Sequence, residues 1–113
     1  MEQSILTSTK QLIGLVAEDD EFDLDVLTLI NAAFATMDQV GIDPGFIEDA
    51  TATWDQLGLD PRLLALVKPY VVLKVGMAWD PPTMSFLVDA KKEQIAEFEW
   101  RISNFREMQE TTP

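Results

Sequence analysis

The 113-residue sequence predicts an all-α protein: a small bundle of about four helices with one long irregular loop (41–60) and a long C-terminal helix. Apolar residues recur three and four apart over most of the chain instead of alternating. Asp60-Pro61 and Asp80-Pro81-Pro82 read as a helix start and a helix stop. Turn-forming Gly41, Asp43-Pro44-Gly45 and Gly58 cluster between two periodic stretches. A composition of 47% hydrophobic and 25% charged residues is that of a globular chain, expected to form one domain over 1–113. A chain of this length buries roughly 60–70% of its unfolded surface.

The first helical pattern places Ile5, Thr9, Leu12 and Val16 on one stripe, with Leu6 and Ile13 beside it. Ser4 is its candidate N-cap, and Gly14 a left-handed terminator with Leu15 folding back. An acidic run, Glu18 to Glu21, leads to Phe22-Asp23. Asp23 can cap the second helix, expected over about 24–40, and Phe22 can staple against Leu27. Leu27, Ile30, Phe34 and Met37 carry the stripe, widened by Val26 and Ala33, and Gly41 stops it. The loop that follows has one heavy anchor, Trp54, with a single helical turn expected around Thr53-Trp54-Asp55.

Asp60 as cap and Pro61 at the first position begin the third helix. Leu63, Leu66/Val67, Tyr70, Leu73/Lys74 and Met77 continue it to Asp80. Pro69 predicts a kink, or two shorter helices hinged there, since an interior proline costs about 3 kcal/mol when uncompensated. Trp79-Asp80-Pro81-Pro82 forms a corner: two prolines remove two donors, and an immediate restart lays the last helix beside the third. Thr83 or Ser85 caps that helix. Leu87/Val88, Lys91, Ile95, Phe98, Ile102 and Phe105 form its inner stripe, with Glu93, Glu97 and Arg101 on another side. At ~1.5 Å per residue it reaches ~40 Å, longer than so small a protein can cover, so its end is expected to project.

The charge belongs to one half of the chain. Residues 1–60 hold thirteen acids and one base, Lys10, whereas residues 61–113 hold seven of each. An acidic field repels phosphates and argues against direct nucleic-acid binding. With neither cysteine nor histidine, disulfides, thiolate chemistry and imidazole catalysis are excluded. No apolar run approaches the ~20 residues of a membrane span, and no signal-peptide pattern is evident, so cytosolic synthesis is expected. The cluster Asp19, Asp20, Glu21, Asp23, Asp25 lacks the glycine and late glutamate of a calcium loop. No nucleophile–base pair or phosphate loop is present. The expectation is a non-enzyme with no cofactor and no metal.

What remains are packing and contact candidates: Trp54, Tyr70, Trp79, Asp80, Pro81, Pro82, Glu97, Trp100 and Arg101. Trp100 lies two positions from Phe98 and Ile102 and so points off the inner stripe. Either it packs on the Tyr70–Trp79 helix within the monomer, or it anchors a subunit contact with Arg101 pairing to an acid on a neighbouring copy. Asp80-Pro81-Pro82 is geometric, setting the angle at which the last helix leaves the core.

The order of several short signatures resembles the head–tail connector (adaptor) family of tailed bacteriophages and prophages. They are Ile5-Leu6-Thr7 through Leu12-Ile13-Gly14; Phe22-Asp23 then Ile30-Asn31-Ala32-Ala33-Phe34; and Thr53-Trp54-Asp55. Val67-Lys68, Tyr70, Lys74-Val75, Asp80-Pro81-Pro82-Thr83 and Ile95 with Glu97, Glu99, Trp100 and Arg101 complete the set. The resemblance implies a structural virion protein, made in the host cytoplasm and residing at the head–tail interface. It implies a homo-oligomeric ring of about a dozen copies docked under the portal protein, closed by rotational symmetry. Such a ring extends the DNA channel without binding DNA specifically, and offers a platform to a head-completion or tail protein; no membrane is involved. Two alternatives use the same sequence differently: an acidic DNA mimic that inhibits a host nuclease, and a tail assembly chaperone.

Overall fold

A computed structural model describes the backbone of residues 4–111 and the side chains of residues 4–105. It contains helices α1 (Ile5–Leu12), α2 (Asp23–Gln39), α3 (Pro61–Trp79) and α4 (Ser85–Thr111), with a short 3₁₀ turn at Trp54–Leu57. The fold class is the expected one. Among the described residues the only extended pairing is an isolated bridge between Ser4 and Thr53.

Helix ends follow local chemistry. Ser4 Oγ accepts from the Thr7 amide at 3.2 Å, so Ser4 caps α1 as expected. Gly14 (φ 95°) then reverses the chain and the Leu15 amide reaches back to the Lys10 carbonyl at 2.8 Å, a six-to-one closure that satisfies a terminal acceptor. The same device ends α2, where Gly41 has φ 99° and the Ile42 amide donates to the Met37 carbonyl. Asp60 Oδ1 accepts from the Arg62 amide at 2.8 Å with Pro61 opening α3.

Three local expectations are corrected. α1 stops at Leu12, which leaves Leu12 and Val16 exposed and confines its buried face to Ile5, Leu6, Ser8, Thr9 and Lys10. Phe22, not Asp23, occupies the cap position of α2 and makes no side-chain cap bond; Asp23 lies inside the first turn, where its carboxylate pairs with Lys10 and is not used as a cap. At α4, Ser85 is already helical, and the first turn closes through the Met84 carbonyl, which accepts from Leu87 and Val88.

α3 packs on all three other helices. It stays a single helix through Pro69. The proline removes the donor to the Ala65 carbonyl, and Ala65 is exposed, so water can serve that acceptor and the break is tolerated. Arg62 sits over the Phe105 ring at 5.5 Å and Tyr70 bonds Glu99, so α4 returns antiparallel to α3. With Phe105 level with the first turn of α3, α4 runs on about six residues beyond it, or ~9 Å at 1.5 Å per residue.

The core joins Ile5 and Leu6 of α1, Ile30, Phe34 and Met37 of α2, Val67, Tyr70, Val71 and Val75 of α3, and Ile102 of α4. α4 contributes little more: Ile95, Phe98 and Phe105 are half-buried, and Leu87 is exposed. The loop 41–60 is anchored by Trp54 and Ile47. Asn31 grips Ile47 at both backbone groups, donating to its carbonyl at 2.9 Å and accepting from its amide at 2.8 Å. That pairing satisfies a buried loop backbone as a strand neighbour would.

A candidate assembly surface

The expected site residues fall into three groups. Trp54 and Tyr70 are buried within the chain. The Trp54 Nε1–H donates to Ser8 Oγ at 2.8 Å, and Ser8 Oγ passes its own proton to the Ser4 carbonyl, also at 2.8 Å. With the Ile5 amide on the Ala52 carbonyl at 2.9 Å, this ties the start of α1 to the loop. Lys68 Nζ lies 5.8 Å from the centre of the same indole. Tyr70 donates its hydroxyl proton to Glu99 Oε2 at 2.9 Å. Burial, then the Glu99 bond and charge, push the Tyr70 pKa well above the ordinary phenol value.

Trp79, Asp80, Pro81 and Pro82 form the corner. Trp79 is half-buried and meets Phe22 edge-on, ring centres 5.2 Å apart. That contact pins the entrance of α2 to the end of α3. The Asp80 amide still donates to the Gly76 carbonyl at 2.9 Å, and the next two residues have no donor to continue the ladder.

Glu97, Trp100 and Arg101 stand on the outside of α4. Arg101 donates from Nε and Nη2 to Glu97 Oε1 at 3.1 and 2.9 Å, an exposed pair four residues apart. Trp100 is 64% exposed, so the alternative in which it packs on α3 within the monomer is overturned. The inner positions of α4 are filled by Ile95, Phe98 and Ile102, and the helix has no room to turn Trp100 inward without expelling them.

Sequence reasoning missed the residue that organises the acidic loop. Lys10 is only 3% exposed, yet its ammonium pairs with Asp23 Oδ1 at 2.7 Å and donates to the carbonyls of Ala17 and Asp19. Two of its donors are taken by loop carbonyls and its charge is offset by Asp23, which is how a buried lysine is accommodated. The loop thus folds around the one base of the N-terminal half, and its other acids (Glu18, Asp19, Asp20, Glu21, Asp25) stay on the surface. Nothing in the local pattern announces this, because the partners lie seven to thirteen residues away.

A second missed feature is a groove of about 460 Å³ between α2, α3 and α4. Its floor includes Ala32, Met77, Ile95 and Ala96, and Lys74 and Lys92 stand along it. Trp100 is four residues beyond Ala96 on the same ridge of α4, just outside the residues that line the groove. Leu12, Leu24, Phe46 and Phe86 are further large apolar side chains left exposed. No group of three or more metal-ligating side chains converges among the described residues, and no helix there is long and apolar enough to cross a membrane.

The model of a family described as phage connector protein matches residues 5–109. Comparison with curated proteins and with solved structures gave no match.

Proposed function

The chain belongs to the phage connector protein family, and from that premise we propose that it is the ring-forming subunit placed under the portal. In this role residues 1–113 act as one structural domain. About a dozen copies close by rotation, extend the DNA channel and present a platform to a head-completion or tail protein. The observation that carries the reading is the outward-facing Trp100, 64% exposed beside the Glu97–Arg101 pair on a helix otherwise anchored by its opposite stripe. Tryptophan and arginine are the side chains that most often anchor protein contacts. The corner at Asp80-Pro81-Pro82 fixes how α4 leaves the core, and so the angle between neighbouring copies. Trp54 and Tyr70 support the reading from inside, by holding the loop and α4 rigid.

The acids of the N-terminal half suit a channel wall that repels DNA and lets it slide. The reading is tested by co-expressing the chain with the portal protein of the same genome and measuring particle mass. Co-migration as a multi-copy assembly is expected, and Trp100→Ala is expected to weaken it while leaving the monomer folded. Failure to join the portal under any condition rejects the role. A ring whose residues 1–60 carry their acids on the outside rejects the sliding-wall idea alone.

A further inference from the structure

We propose that the groove between α2, α3 and α4 receives the acidic entrance of α2 from a second copy of this chain, with Leu24 as its apolar plug. This rests on the ring reading above and names the two surfaces that would meet.

The receiving side is apolar at its floor and cationic at its edge. Ala32 and Ala96 keep the helices low there, and Ile95 and Met77 supply apolar depth. Lys74 and Lys92 line it, and among the described residues neither forms an ion pair. Glu99 also lines it, but its Oε2 already accepts the Tyr70 hydroxyl. The groove therefore holds two cations that form no ion pair among the described residues.

The inserting side has the complementary chemistry. Leu24 is 77% exposed, the most exposed large apolar residue among the described residues. Asp20, Glu21 and Asp25 flank it along the chain and are themselves exposed. The Lys10 clamp on Asp23 and the loop carbonyls holds this edge in shape, so the acids are presented from an ordered turn. An exposed apolar residue with acidic neighbours matches an apolar floor flanked by ammonium groups.

One chain cannot make this contact with itself. Leu29, Ala32 and Thr36 line the groove from α2, and they lie roughly 80–140° around that helix from Leu24 at 3.6 residues per turn. Plug and groove are thus different faces of one rigid element, so the contact is made between copies. Repeated head-to-tail, it leaves a free plug at one end and a free groove at the other until a ring closes; made reciprocally, it stops at a two-fold dimer, and native mass separates the two. Trp100, one helical turn along α4 from Ala96, would be covered by the same neighbour.

The chain has no native cysteine, so the contact can be read directly. One preparation carries Leu24→Cys and another Ala96→Cys; both positions are exposed in the monomer. Mild oxidation of the mixture is expected to give a heterodimer well above the homodimers of either alone. In parallel, Lys74→Glu with Lys92→Glu, and separately Asp20→Lys with Asp25→Lys, are each expected to shift native mass spectra from oligomer to monomer. Circular dichroism checks that each remains folded. Mixing the two charge-reversed chains restores complementarity at every contact and is expected to restore the oligomer. Oligomers that survive both reversals, with no selective 24–96 cross-link, overturn the proposal and leave the ring reading intact. A chain that stays monomeric at high concentration and gives no 24–96 cross-link also overturns it, and the portal co-expression then decides the ring by itself.

Discussion

Replacing Lys10 by methionine isolates what its ammonium contributes, because the apolar stem keeps nearly its full volume. The change leaves the Asp23 carboxylate and the Ala17 and Asp19 carbonyls without their shared donor. Removing one partner of a buried ion pair costs about 3–5 kcal/mol. Asp23 retains 30% exposure, so water recovers part of its solvation and the lower end, about 3 kcal/mol, is expected. For a domain of this size that corresponds to a fall in Tm of roughly 10–20 °C. Urea unfolding should show the midpoint falling with the slope m unchanged, since the same surface is exposed on unfolding. Asp23→Asn should cost at least as much, because it leaves the lysine, 3% exposed, facing only carbonyls. The double variant should be milder than the sum by about 1–2 kcal/mol. If Lys10→Met shifts Tm by only a few degrees, or if the two changes add within about 0.5 kcal/mol, the clamp does not organise the loop and the reasoning fails.

Trp54→Phe removes the bond to Ser8 and part of the buried ring volume; a loss of about 1–3 kcal/mol is expected, against about 3–5 for Trp54→Ala, both by urea titration. The chain has a single tyrosine, so absorbance at 295 nm reports Tyr70 alone. Its folded pKa is raised, so the stabilisation is complete below the unfolded phenol value and is lost as pH rises toward the folded one. The tyrosinate signal should therefore appear only together with alkaline unfolding; free titration near pH 10, the ordinary phenol value, would contradict the buried bond to Glu99. Gly76→Ala meets only Ile13 Cγ2 at 3.8 Å, an ordinary contact, and should stabilise α3 by about 0.5–1 kcal/mol in thermal unfolding. Pro69→Ala returns a donor to the Ala65 carbonyl and should raise Tm as well; a fall would mean that the neighbouring helices pack against the proline's distortion.

Features set by neighbours along the chain are legible in the sequence. Gly14 and Gly41 stop helices through their own positive φ, Asp60-Pro61 starts one through its own cap, and Asp80-Pro81-Pro82 ends one by withholding donors. Periodicity also placed Trp100 off the inner stripe of α4. It could not say whether another helix waited on that side, and that depends on where α2 and α3 stop covering α4.

Other features depend on partners remote in sequence. Asn31 reads as an ordinary polar residue on a helix until Ile47 arrives sixteen residues later to use both ends of its amide. Leu12 continues a perfect helical stripe, but the Gly14 reversal and the course of the chain after it leave that position uncovered.

By itself the sequence determined the helices, several of their ends, the tight corner between the last two, and an acidic half without cysteine or histidine. Each of these follows from backbone sterics, hydrogen-bonding valence or formal charge within a few residues. Only the tertiary structure decided that Lys10 is an interior clamp, that Tyr70 locks α4, that Trp100 is left outside, and that two lysines flank an apolar groove. Burial and pairing are properties of what packs against a side chain. A stripe pattern specifies which face of a helix is apolar, and only the arrangement of the other helices specifies whether that face is covered.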